Sequence, residues 1–485
     1  MTTFETENIS LNQIGEFMWE IPRSGDMIVP ARILASKKLL GQISKDKTLE
    51  QLKNTASLPG IQKYALCMPD GHQGYGFPVG GVVATDAHTG CISPGGVGYD
   101  INCGVRMITT NLSYKDILGK EKSLSRLLFD KIPTGMGGGG IINTSSQDIE
   151  DILSNGSEWA LSNGYAIPKD LDHCEDGGKR TDADHTKVSH KAKQRGKNQV
   201  GSLGSGNHFL EVQRVSEIFR EDVANSYGLS VDQIVILIHT GSRGLGHQTC
   251  SDYLRKIEIE HADFLTQLPD KELAAAPAGS ELANDYYAAM CACINFAWNN
   301  RQIITHAVRM VFEEIFQNPW EDLDMNLLYD VSHNIAKKEV HIIDGSPREL
   351  FVHRKGATRA FPIGRLELPL DFRNVGQPVL IPGSMGSDSY ILRGGTESID
   401  LTFGSTAHGA GRILSRTQAK KIFNASEILK QLKEKNIHVM AKSDATISEE
   451  APGVYKDVSE VVNISDSLGI GDKVARTFPV VNIKG

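Results

Sequence analysis

Long apolar runs are missing from this chain, and no uninterrupted stretch approaches the roughly 20 residues that cross a bilayer. No membrane segment is therefore expected. The opening residues Met1 to Glu7 show no basic cluster followed by an apolar one, the layout of a secretory leader, so a cytoplasmic protein is the expectation. Cysteine is scarce as well. The seven cysteines, at 67, 91, 103, 174, 250, 291 and 293, are odd in number and irregular in spacing, which gives no disulfide framework and fits a reducing compartment. Positive charge is not in excess: 51 Lys and Arg stand against 59 Asp and Glu, a net charge of −8. A protein coated in basic surface is excluded, and any nucleic-acid contact must come from a local patch. No Gly-Lys-Ser/Thr follows a strand-like run at the P-loop spacing, which removes that class of nucleotide enzyme. Repeats, low-complexity tracts and linkers are absent too, so residues 1–485 read as one intertwined domain.

What is present is a set of short apolar runs bordered by polar residues of catalytic type, the layout of strands delivering side chains to a site at their ends. His208 precedes the near-alternating run Phe209 to Val215, and Glu211 lies within it. The β-branched run Ile234 to Ile238 ends at His239-Thr240-Gly241-Ser242-Arg243-Gly244, and Leu327 to Val331 ends at Ser332-His333-Asn334. Pro378 to Ile381 leads into Pro382-Gly383-Ser384-Met385-Gly386-Ser387-Asp388-Ser389. Helical spacing of Ile303, Ile304, Ala307, Val308, Val311, Phe312 and Ile315 predicts a helix with one apolar face over about 280–317, and a second is expected near 426–435. Strands mixed with helices define an α/β protein. The polar, glycine-containing segment at about 144–200 reads as an insertion or long loop.

The densest chemistry lies in Gly95-Gly96-Val97-Gly98-Tyr99-Asp100-Ile101-Asn102-Cys103-Gly104-Val105-Arg106. Asp100 offers a hard oxygen and Cys103, three residues on, a soft sulfur able to bridge two cations. Taken alone, the run is equally a tight turn with a buried thiol. His208, His239 and His333 at strand ends add three imidazoles, and five ligands exceed the need of one tetrahedral zinc. A dinuclear site of borderline metals follows, with manganese or zinc as the ion. Small residues surround His408 in Phe403 to Arg412, leaving room for a large group at its ring. A nucleophile, a sixth metal ligand and a general acid are all open to it. Arg412 would lie one helical turn further on. Gly-Ser loops at 201–207, 241–244 and 382–389 can cradle phosphates, or serve as ordinary turns. Lys187, Lys191, Lys193, Arg195 and Lys197 form a mobile basic strip for a nucleic-acid backbone, or a solvated charge run. His173, Cys174, His185 and His190 offer an accessory zinc site, though at a spacing that fits no standard pattern.

In order along the chain, Gly95–Arg106, Gly204-Ser205-Gly206-Asn207-His208-Phe209, His239–Gly244, Ser332-His333-Asn334, Pro382–Gly386 and His408–Arg412 together resemble the RtcB family of RNA ligases. The resemblance implies a single domain of the family's own α/β fold, with mixed central sheets and surrounding helices, two Mn²⁺ ions and GTP. It implies Asp100, Cys103 and His208 on one ion and Cys103, His239 and His333 on the other, with His408 carrying GMP. For the nucleotide it points to Asn207, Glu211, Asn334, Pro382, Gly383, Ser384, Met385, Ser389, Gly409, Ala410, Gly411, Tyr455 and Lys484. The expected reaction joins an RNA 3′-phosphate or 2′,3′-cyclic phosphate to a 5′-hydroxyl in tRNA splicing or RNA repair, with an archease-type activating protein as a further partner. Two rivals remain: a dinuclear phosphoesterase acting on RNA cyclic or terminal phosphates, and an RNA-binding factor with structural metals.

Overall fold

The computed structural model describes residues 2–135, 137 and 139–485. Two large sheets carry the architecture. The first runs, in spatial order, Thr3–Glu5, Ser10–Gly15, Met18–Ile21, Ala31–Leu34, Ala65–His72, Val79–Asp86, Ser346–Lys355 and Asn334–Ile343. The second runs Leu327–Ser332, Gly104–Ser113, Gln233–Thr240, Phe209–Ile218, Gly471–Lys484, Ser389–Gly394 and Pro378–Ile381, with His438–Ala441 parallel beside Gly471–Lys484. Most neighbours are antiparallel, but Ala31–Leu34 pairs in parallel with Ala65–His72, so both sheets are mixed. The chain steps directly from one sheet into the other at His333 and Asn334. The α/β expectation holds, and the four strands read from sequence are all in the second sheet. Among the described residues no helix is long and apolar enough to cross a membrane.

The helix Glu281–Phe316 departs from the one-faced helix the sequence predicts. It is buried on nearly every side, and its polar residues Asn295, Asn299, Asn300, Arg301, Gln302, Thr305 and Arg309 are buried with it. A helix so enclosed must satisfy its polar groups internally. Arg301 does so by clamping the Asp330 carboxylate (Nε–Oδ2 2.7 Å, Nη2–Oδ1 2.8 Å) and donating to the carbonyls of Asn102 and Thr240. Asn300 accepts from the Gly201 and Ser202 amides and donates to the Ser202 and Gly241 carbonyls. Two adjacent residues of one helix thereby fix the loops that precede His208 and follow His239.

The segment at 144–200 is not a long loop. It forms the helices Ser146–Asn155, Ser157–Ser162, Pro168–Asp172 and His190–Lys197, and Ile149, Ile152, Leu153 and Ala192 belong to the same buried apolar cluster as Tyr286, Met290 and Ile294. Its first helix opens on a capping box, the Ser145 hydroxyl accepting from the Asp148 amide while Asp148 accepts from the Ser145 amide. Part of the polarity that suggested a surface loop is spent internally. Glu175 is fully buried against Lys337 (2.5 Å) and Arg359 (3.3 Å) and accepts from the Ser332 amide, beside His333.

Candidate active site

Four adjacent strands of the second sheet bring the expected metal ligands to one end. Gly104, which follows Cys103, pairs with Thr240 on one side and Ser332 on the other, while His239 pairs with Phe209, which follows His208. The register alone therefore gathers Cys103, His208, His239 and His333. Asn102, between Asp100 and Cys103, is left-handed at φ 54°, held by its side chain to the Ile294 carbonyl and the Ser332 hydroxyl. Gly241 must lack a side chain, because a Cβ there would strike the Asp100 carboxylate.

The ligand atoms converge as cation ligands do. Cys103 Sγ lies 3.4 Å from His208 Nε2 and 3.3 Å from His239 Nε2, His239 Nε2 lies 3.2 Å from His333 Nε2, and Asp100 Oδ2 lies 2.8 Å from His208 Nε2. They form two sets, Asp100-Cys103-His208 and Cys103-His239-His333, sharing the thiol. Burial, reinforced by the neighbouring imidazoles, holds His239 and His333 well below the ordinary histidine value, so both are neutral. Burial lifts the Asp100 carboxyl, but His208 and Arg243 outweigh it and bring it down to about 2. Burial and then the Asp100 carboxylate push the Cys103 thiol well up. A bound cation reverses that last preference, because coordination favours thiolate. Neutral imidazoles, an ionised carboxylate and a shared sulfur fit two borderline divalent cations. Buried Asp100 Oδ1 lacks a hydrogen-bond partner, as do the Nδ1 atoms of His239 and His333.

His408 follows the short strand Ser405–Ala407, and its ring centroid lies 4.9 Å from that of His333. Its Nδ1 lies 2.5 Å from Asp70 Oδ2, an oxygen that also accepts from the amides of His408 (3.0 Å) and Gly409 (3.3 Å). Burial raises the Asp70 carboxyl, but His408 overrides it and holds the group ionised. The proton therefore sits on Nδ1 and leaves the Nε2 lone pair free. Gly411, at φ 74°, packs against the Asp70 carbonyl where a Cβ would clash, closing the turn around this dyad. Asp70 was not singled out from sequence, although Ala65-Leu66-Cys67-Met68 running into Pro69-Asp70-Gly71-His72 is the same strand-end pattern that marked the histidines.

A cavity of about 290 Å³ joins the two centres. Asp100, Cys103, His239, His333, Asn334, Asn207, Pro382, Gly383, Ser384, Met385, His408, Gly409, Ala410, Gly411, Tyr455 and Lys484 all line it. His208 stands behind Cys103 within the cluster. Glu211 and Ser389 are not on the wall. Glu211 is buried beneath it, accepting from Gln213 (2.6 Å) and Asn482, and burial pushes its carboxyl up to about 7. Ser389 Oγ accepts from the Gly383 amide (3.0 Å) and so shapes the loop after Ile381. Lys484 is buried rather than frayed, 3.4 Å from Glu450. Glu450, unread in the sequence, also holds Arg412 Nη1 at 2.9 Å and accepts from the Tyr455 hydroxyl. Arg412 thus reaches the cavity from a turn rather than from a helix.

One other reading of the sequence is not met, and a second is narrowed. His173 Nδ1 donates to the Leu327 carbonyl and its Nε2 lies 3.0 Å from Asp371 Oδ2, apart from His185 beside Lys193, and among the described residues the only metal-capable groups are the two sharing Cys103. The basic strip is partly consumed: it is a helix over His190–Lys197, with Lys193 on Glu150 and Lys187 on Asp285, both at 2.7 Å.

Fold and site together place two groups of metal-capable side chains and the Asp70–His408 pair on one cavity between two mixed sheets. The family model described as tRNA-splicing ligase RtcB matches residues 51–485. Three archaeal proteins named tRNA-splicing ligase RtcB are similar over nearly their whole length. The one from Thermococcus kodakarensis is 51% identical over 480 residues (99% of this chain, all of the relative). Those from Methanococcus maripaludis and Aeropyrum pernix are each 49% identical, over 98% of this chain and 99% of the relative. The chain belongs to the RtcB family.

Proposed function

We propose that the protein is a GTP- and Mn²⁺-dependent RNA ligase of tRNA splicing, joining 3′-phosphate or 2′,3′-cyclic phosphate ends to 5′-hydroxyl ends. The observation that carries this reading is the Asp70–His408 dyad placed beside His333. A hydrolase working through two metals alone leaves a histidine with its proton held away from the cavity without a use, and leaves the wall from Pro382 to Met385 empty.

His408 Nε2 attacks the α-phosphorus of GTP, the bond to the bridging oxygen breaks and pyrophosphate leaves. Asp70 keeps the Nδ1 proton in place and offsets the positive charge that the ring gains as the N–P bond forms. A 2′,3′-cyclic end is first opened by water, which adds to phosphorus as the P–O2′ bond breaks and leaves a 3′-phosphate and a 2′-hydroxyl. Guanylate then passes from Nε2 to an oxygen of that 3′-phosphate, the N–P bond breaking as the new O–P bond forms. The incoming 5′-hydroxyl oxygen attacks that phosphorus, GMP leaves, and the hydroxyl proton goes to solvent. Asp100, Cys103 and His208 would hold one cation and Cys103, His239 and His333 the other, and such cations withdraw charge from phosphoryl oxygens. Arg412 and the loop amides supply further donors to phosphate. For the base, we assign Glu211 as acceptor of guanine's N1–H and amine, reached when the Asn482 amide gives way, with Asn207, Ser384, Tyr455 and Lys484 around the nucleoside. The test is joining of a 2′,3′-cyclic-phosphate RNA to a 5′-hydroxyl RNA: joined product with GTP and Mn²⁺ supports the reading, and hydrolysis to a monophosphate without joining contradicts it.

A further inference from the structure

Three cations that form no ion pair among the described residues meet across one groove. Lys187 and Lys193 are engaged, but Lys191 is exposed and forms no ion pair among the described residues, and it faces Arg255 and Lys256 from the helix Arg243–Glu260. Together they line a groove of about 600 Å³, roughly twice the volume of the active-site cavity. Two carboxylates also line it, and both are already committed. Asp252 accepts from the Ser189 hydroxyl (2.6 Å) and the Gln248 amide (2.7 Å), and Asp285 holds Lys187. Glu258 and Glu260 are outside the lining. A chain of net charge −8 thus keeps a cationic trough with unspent charge.

The helix that supplies Arg255 and Lys256 starts at the catalytic centre, where Arg243 Nη1 donates to His208 Nδ1 at 3.1 Å. Twelve residues at 1.5 Å each place Arg255 about 18 Å further along. Between the two places His247, Ser251 and Arg255 follow one another four residues apart on one helix face, with His247 and Arg255 exposed, Ser251 half-buried, and His247 stacked on Tyr99 of the cavity wall at 4.8 Å between centroids. Tyr99 and His247 thus connect the cavity wall to the helix face that leads to Arg255.

Building on the ligase reading, we propose that this groove is a second RNA site that grips the phosphodiester backbone away from the end being joined. Continuity with the catalytic centre favours RNA over an acidic protein. Contacts of this kind add affinity without base preference and weaken with salt. The test uses the full chain carrying K191A/R255A/K256A, with K191R/R255K/K256R as the charge-keeping control. Dissociation constants are measured across a salt series for two RNAs with the same ends, one a few nucleotides long and one the size of a tRNA half. Guanylylation of the protein is followed alongside. The expected result is a rise of on the order of tenfold in Kd for the long RNA, with a salt slope lower by about 2 to 3. The short RNA, guanylylation and the charge-keeping control stay unchanged. An unaltered long-RNA Kd overturns the proposal and leaves the groove to an acidic protein, as does an equal loss on both RNAs. Wild-type protein that binds long RNA through these cations yet joins nothing contradicts the ligase reading while supporting the groove.

Discussion

The two ends of the active-site cavity are built on different principles. At the metal end, the five candidate ligands come from the ends of adjacent strands, His239 from within its strand and the others from the loops beside theirs, and the hydrogen-bond register brings them together. At the end proposed for the nucleotide, the wall is backbone and side chains from Pro382 to Met385 and Gly409 to Gly411, joined by the buried Lys484 and backed one layer deeper by the buried carboxyls Glu450 and Glu211. The first end depends on side-chain identity and the second on what stands behind the wall. Substitutions should therefore act sharply at one end and gradually at the other.

The largest effect is expected from Cys103→Ala, which removes the one atom common to both ligand sets. Elemental analysis should show the bound metal falling from two ions per chain towards none, with affinity lowered by more than about a hundredfold. Full occupancy in this variant would mean that the sets do not share a bridge. Asp70→Asn comes next, because an amide can turn its nitrogen to Nδ1 and favour the wrong tautomer. Guanylylation should slow by on the order of 10²–10⁴ while both metals stay bound. A variant that loses metal as well would make Asp70 part of the cluster instead.

At the nucleotide end, Glu211→Gln is expected to narrow the preference for GTP over ATP in competition, and it carries a pH signature. Burial raises the Glu211 carboxyl from its ordinary value near 4.5 to about 7, so between those values the folded protein binds more protons than the unfolded one. Stability conferred by protonated Glu211 is full below the lower value and is lost as pH rises through about 7. Thermal melts of the metal-free protein between pH 5 and 7 should be flatter for the variant, and parallel curves would remove Glu211 from the buried set. The smallest effect is expected from Asn300→Ala, which leaves the Gly201 and Ser202 amides and the Gly241 carbonyl without partners. It should cost about 1–3 kcal/mol in denaturant unfolding and loosen the ligand loops without touching a ligand.

The metal end was legible in the sequence because its chemistry restricts residue type: Asp100, Cys103 and the three histidines stand at run ends where no packing role needs them. The four strands that position them were legible for the same reason, as short β-rich runs with polar ends. Asp70 escaped notice although it shares that pattern, since a lone aspartate in Pro69-Asp70-Gly71 reads as an ordinary turn. Arg301, Asp330, Glu175 and Glu450 were hidden for a different reason. Charges are read as surface from sequence, and these four are buried only because partners distant in the chain meet them. The same bias made 144–200 look like a loop, when its Glu175 and Asp176 are paired inside the fold with Lys337 and Arg359.

The most direct measurement is transfer of label from α-³²P-GTP to the protein in the presence of Mn²⁺. An acid-labile, alkali-stable bond to the wild-type chain that disappears in His408→Ala is the predicted result, because only an N–P linkage at His408 behaves that way. Label that persists in His408→Ala, or wild-type protein that takes up none, would contradict the account.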